Sequence, residues 1–92
     1  MITHDWLIFN GYYWRQFEGE TENSYAGEYR KIWCDKNGHQ CMVYIFKFNE
    51  EKDDFNKTTI EVHSITGQTK TTFIDKPVLT EQLNMLIKII CE

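Results

Sequence analysis

Tyr29-Arg30-Lys31-Ile32-Trp33-Cys34 and Cys41-Met42-Val43-Tyr44-Ile45-Phe46-Lys47-Phe48 stand on either side of Asn37-Gly38. Both runs are rich in β-branched and aromatic residues, and Asn-Gly supplies the two positive-φ positions of a type I′ turn. The arrangement predicts a β-hairpin. A two-residue turn at Asn37-Gly38 sets Cys34 opposite Cys41, Ile32 opposite Val43 and Arg30 opposite Ile45. The other face then pairs Trp33 with Met42, Lys31 with Tyr44 and Tyr29 with Phe46. One face of the predicted hairpin is aliphatic and the other aromatic.

The same pattern extends to both sides. Asn10-Gly11 separates Trp6-Leu7-Ile8-Phe9 from Tyr12-Tyr13-Trp14-Arg15-Gln16-Phe17, a second predicted hairpin with Trp6 opposite Arg15. Thr66-Gly67 separates Thr58-Thr59-Ile60-Glu61-Val62-His63 from Thr69-Lys70-Thr71-Thr72-Phe73-Ile74, a third. There Ile60, Val62 and Phe73 are expected to share one face, and Glu61, His63, Lys70 and Thr72 the other. Six strands follow, at about 5–9, 12–17, 28–35, 41–49, 57–65 and 69–74.

After Pro77 the period changes. Leu79, Leu83, Leu86, Ile87 and Ile90 fall on one helical face, and Thr80 is placed to N-cap a helix over about 80–91. The expected fold class is α+β. Residues 1–92 form a single domain, a six-stranded antiparallel meander of three consecutive hairpins. The sheet is expected to be strongly curved or a partial barrel, with one C-terminal helix packed on one face.

Ninety-two residues leave room for one core. Hydrophobic residues make up 41% and charged residues 26%, proportions of a folded domain rather than a disordered tail. Aromatics reach 15%, and large rings of that abundance belong either to a core or to a surface that meets another molecule. Fourteen acids against ten bases give a formal charge of −4, which argues against general nucleic-acid or anionic-membrane binding. Three cysteines are an odd number, and no basic leader segment opens the chain, so a reducing, cytoplasmic setting is expected.

An up-and-down meander gathers its tight turns at one end and its longer connections at the other. Those connections are Glu18-Gly19-Glu20-Thr21-Glu22-Asn23-Ser24 and Glu50-Glu51-Lys52-Asp53-Asp54-Phe55-Asn56. Seven carboxylates, those of Glu18, Glu20, Glu22, Glu50, Glu51, Asp53 and Asp54, are thereby expected at one pole, offset inside the loops by Lys52 alone. Charge runs of this kind commonly keep loops solvated. They also make a docking surface for a basic protein partner, because clustered charge steers encounter and sets specificity. Tyr25 and Phe55, each beside an acidic run, are the expected apolar anchors. If the partner binds nucleic acid, the carboxylates stand where phosphates would, and the chain acts as an inhibitor or regulator. Direct contact with nucleic acid or membrane is not expected. A calcium loop is disfavoured because neither run has the D-x-D-x-D-G order.

Other chemistry is sparse. Cys34, His39 and Cys41 form a C-x4-H-x-C cluster that lacks a fourth ligand and matches no common zinc spacing. The cysteines read better as small core residues, so no metal and no cofactor is expected. Glu61 and His63 share one strand face as a possible acid/base pair, yet Lys70 beside them makes a surface charge cluster the simpler reading. No nucleophile elbow, phosphate loop or dinucleotide fingerprint occurs. The expectation is a non-catalytic binding protein. The alternative is a self-associating structural module, in its simplest form a homodimer, that uses the aromatic sheet face or the helix. A small metal or thiol enzyme ranks behind both.

Overall fold

The computed structural model describes residues 2–34, 38, 40–64, 69–74 and 85. Its elements in chain order are helix α1 (His4–Phe9) and strands β1 (Tyr13–Gln16), β2 (Gly27–Cys34), β3 (Gln40–Lys47), β4 (Thr58–Ser64) and β5 (Thr69–Ile74). The strands form one antiparallel sheet in the order β1-β2-β3-β4-β5. Among the described residues the sheet is open, with β1 and β5 as its edges. The expected fold class is corrected accordingly: five strands replace six, and a helix stands at the N-terminal side. Of the helix expected over 80–91 only Met85, which is helical, is among the described residues; the rest lies outside them.

The first predicted strand, 5–9, is helical because its flanks are helix signals. Thr3 is the N-cap, its Oγ1 accepting from Trp6 N at 3.0 Å, and Asp5 lies in the first turn, where the helix dipole favours an acid. Asn10-Gly11 ends the helix rather than turning a hairpin. Gly11 takes φ +87°, Tyr12 N donates to Leu7 O at 3.0 Å and Gly11 N donates to Ile8 O at 3.1 Å. This is a Schellman motif, and its left-handed residue is glycine for the same steric reason that a type I′ turn prefers one. Lys31 Nζ adds a cation at that end, donating to Asn10 O at 2.8 Å. Trp6 therefore sits on α1, and the expected cross-strand contact with Arg15 does not form.

Six residues are too few to hold a helix alone, so α1 depends on what it covers. Leu7 is fully buried and joins Ile2, Tyr12, Tyr29, Cys41, Val43, Ile45, Phe55, Ile60 and Val62 in one core. The strand members of that core share one face of the sheet, with Tyr29 opposite Ile45, and Val43 opposite Val62. We call this the inner face.

The two predicted hairpins that form are each off by one residue in register. Cys34 pairs with Gln40, Trp33 with Cys41, Lys31 with Val43 and Tyr29 with Ile45. The connection 35–39 holds an odd number of residues, and a slip of one exchanges the faces of one strand relative to the other. The predicted aliphatic and aromatic faces are thus mixed. Tyr29 and Trp33 lie with Cys41, Val43 and Ile45, whereas Ile32 and Cys34 lie with Met42, Tyr44 and Phe46. Similarly, Ile60 pairs with Thr72 and Thr59 with Phe73, so Phe73 is not opposite Ile60.

Gly27 begins β2 where β1 comes closest. A Cβ there would lie 2.4 Å from Arg15 O and 3.0 Å from both Gln16 Cα and Trp14 Nε1. Backbone cannot swing aside as a side chain can. Gly27→Ala is therefore expected to cost about 1–3 kcal/mol, as over-packed sites do, and chemical denaturation would measure it. A variant as stable as the parent would show that β1 is not held this tightly.

Candidate functional site: the pole of the two connectors

β1 and β3 run towards the same end of the sheet, where the connectors 17–26 and 48–57 leave it. There the two acidic runs meet. Tyr25 N donates to Glu50 O at 2.9 Å, and the rings of Phe17 and Phe48 stack with centroids 5.7 Å apart and planes at 24°.

Each connector is folded by its own short-range polar contacts. In the first, Glu20 N donates to Phe17 O at 3.3 Å across a turn that has Gly19 at φ +87°. Ser24 N donates to Thr21 O, and Gln16 Nε2 holds both Thr21 O (2.6 Å) and Ser24 O (3.0 Å). In the second, Asn49 Oδ1 accepts from Glu51 N at 2.7 Å. Asn49 Nδ2 donates to Asp54 Oδ2 at 2.9 Å, and Asp54 Oδ1 accepts from Asn56 N at 3.0 Å. Asn and Asp favour such loops because their short side chains substitute for missing backbone partners.

Lys47 fastens the connectors to each other. Alternation along β3 turns its side chain to the inner face, where it is fully buried. Nζ donates to Tyr25 O of the first connector at 3.2 Å, and to Asn49 O and Glu51 O of the second, and it lies 5.6 Å from the Phe55 ring centroid. Three donors meet three carbonyls, the full capacity of an ammonium. Burial lowers the pKa of Lys47 from its ordinary value, against the opposing pull of Asp54, Asp53 and Glu51.

The second connector also holds α1. Asp53 Oδ1 accepts from His4 N at 2.9 Å, and Lys52 pairs with Asp5 at 3.2 Å. The His4 ring meets Trp14, Tyr25 and Tyr29 edge-on, with centroids 5.0–5.5 Å apart. Burial holds the imidazole below its usual pKa, with Asp5 and Asp53 opposing the shift and Lys52 and Lys47 reinforcing it. Burial and the nearby acids raise the Tyr29 phenol above its usual value, and its hydroxyl shares a hydrogen bond of 2.7 Å with His4 Nδ1.

The seven carboxylates thus divide by use. Asp53 and Asp54 bind backbone or amide groups of the fold. Glu18, Glu22, Glu50 and Glu51 are exposed and Glu20 is half-buried. None of these five carboxylates forms an ion pair or hydrogen bond among the described residues. Of the expected anchors, Tyr25 is half-buried against His4 and Trp14, and Phe55 is only 4% exposed and belongs to the core. The apolar side chain that faces solvent at this pole is Phe48, 61% exposed. Its signal in the sequence is its position directly after Lys47: a residue that follows an inward-facing one points outward.

The cysteine cluster comes apart. Cys41 is buried on the inner face, Cys34 is exposed on the opposite one, and His39 lies outside the described residues. Among the described residues no group of His, Cys, Asp and Glu is arranged to hold a metal ion. Glu61 and His63 do meet, at 3.2 Å, with Tyr44 edge-on to the imidazole at 5.1 Å between centroids. Among the described residues no helix is long and apolar enough to cross a membrane.

Comparison of the chain with models of protein families, with curated proteins and with solved structures finds no match.

Proposed function

We propose that this chain is a non-catalytic binding protein whose acidic pole docks on a basic surface of a protein partner, as an inhibitor or regulator. The supporting observation is the pairing of two independent acidic connectors, joined through Tyr25 N and Glu50 O, with Lys47 beneath them. Because that positive charge is directed into backbone carbonyls, it orders the pole without covering its carboxylates. A partner that binds nucleic acid would meet carboxylates where it otherwise meets phosphates. The cytoplasm, where the thiols of Cys34 and Cys41 stay reduced, is the compartment that suits this reading.

The test is capture on the immobilised chain from native lysate, eluted with a salt gradient and identified by mass spectrometry. Retained proteins should carry basic surfaces and elute as ionic strength rises, since screening weakens exposed charge pairs. Retention that is indifferent to salt would overturn the reading.

A second reading, self-association, draws on a different surface. Tyr13 and Ile32 are 76% and 56% exposed, and with Gly11, Arg30, Lys31 and Met42 they line a groove of about 430 Å³ away from the acidic pole. Light scattering at low and high salt separates the two: a dimer built on that groove persists at high salt, whereas docking through the acidic pole does not.

A further inference from the structure

The stacked pair Phe17–Phe48 is an exposed aromatic surface inside the acidic pole, and its composition specifies what kind of cation it fits. We propose that it is a platform for arginine side chains of the basic partner, in preference to lysine. The inference rests on the docking reading above and narrows it.

Phe17 and Phe48 each follow the last residue of a strand, β1 and β3, so the sheet fixes their positions. Phe48 remains 61% exposed although Phe17 supports it at 5.7 Å. Single exposed apolar side chains are ordinary on a protein surface; what distinguishes Phe48 is the second ring stacked on it and the charge around the pair. Glu18 follows Phe17 directly, and Glu50 lies two residues beyond Phe48. A cleft of about 200 Å³ beside Phe17 is lined by Arg15, Gln16, Phe17, Glu18 and Glu28, two carboxylates against one guanidinium. The complementary group is cationic and has a flat face.

Arginine meets both demands at once. Its planar guanidinium stacks on an aromatic face while its edge forms two parallel hydrogen bonds to a carboxylate. A lysine ammonium is a compact, strongly hydrated point charge, so it gains the Coulomb attraction but little from the ring. At an exposed site the cation–π contribution amounts to a two- to fivefold gain in affinity.

The experiment compares two peptides of equal length and charge, one carrying only arginine as its cation and the other only lysine, titrated calorimetrically at low salt. The arginine peptide should bind about two to five times more tightly. Phe48→Leu, which keeps the apolar bulk and removes the π-face, should equalise the two. Phe17→Leu should do so partly. The Phe48 side chain is exposed, so the fold should persist in the leucine variant, and near-ultraviolet circular dichroism verifies this. Equal affinities for the parent protein, or a preference that survives Phe48→Leu, overturn the platform and leave acidic docking standing. Failure of both peptides to bind overturns acidic docking itself, and the platform with it.

Discussion

Replacement of Lys47 by methionine should lower the melting temperature by roughly 12–24 °C, the equivalent of about 3 kcal/mol in a domain of this size. Methionine fills much of the lysine's volume, so the loss is electrostatic rather than a cavity. Tyr25 O, Asn49 O and Glu51 O would lose their shared donor inside the protein. Hydrogen bonds to a charged group contribute about 1.5–3 kcal/mol each, and an orphaned buried acceptor costs about 1–3 kcal/mol. Relief of the buried charge offsets part of this, which is why the expected loss is smaller than three such bonds. The pH dependence isolates the ammonium. With its native pKa below the ordinary 10.5, Lys47 binds its proton less tightly in the folded chain than in the unfolded one. Its contribution to stability therefore rises with pH between the lowered value and 10.5, and the gap between parent and variant widens in that window. A variant melting within about 3 °C of the parent would show that the connectors are held by something else.

The second large effect concerns binding. Glu18→Lys, Glu22→Lys and Glu50→Lys together should weaken association with a captured basic partner at least about a hundredfold, since each turns an attraction into a repulsion. The same variant should melt within a few degrees of the parent, because these carboxylates have no partners within the fold among the described residues. Reversal changes the sign of the net charge, so a control that shifts the net charge by the same amount at exposed positions away from the pole distinguishes the pole from overall charge. Unchanged affinity in the triple variant, or equal loss in the control, would refute docking through this end.

Much of the sheet was legible in the sequence. Five of the six expected strands, their sequential order and the common pole of the acidic connectors follow from β-branched and aromatic runs separated by turn residues. The misread turns share one cause: glycine marks a left-handed backbone without saying what it terminates. Asn10-Gly11 closes a helix, whereas Asn37-Gly38 belongs to a five-residue connection between strands. At the first site the deciding signals were Thr3 and Asp5, a cap and a first-turn acid, which carry no meaning for a strand. At the second the odd loop length moved Cys34 and Ile32 to the opposite face from Cys41 and Val43. Lys47 was missed for a different reason. Lysine is almost never fully buried, so its place on the same face as Val43 and Ile45 reads as a strand end leaving the core. Only the carbonyls of two distant loops make that position tolerable, and local pattern does not encode them.

The span of the α1 contacts has a consequence for how the chain is made. His4 meets Asp53 across 49 residues and Asp5 meets Lys52 across 47, whereas neighbouring strands pair in sequential order. During synthesis the N-terminal segment leaves the ribosome long before the loop that receives it, and a six-residue helix does not persist in water unaided. The β-meander can zip up strand by strand, while α1, translated before all five strands, is among the last of these elements to settle.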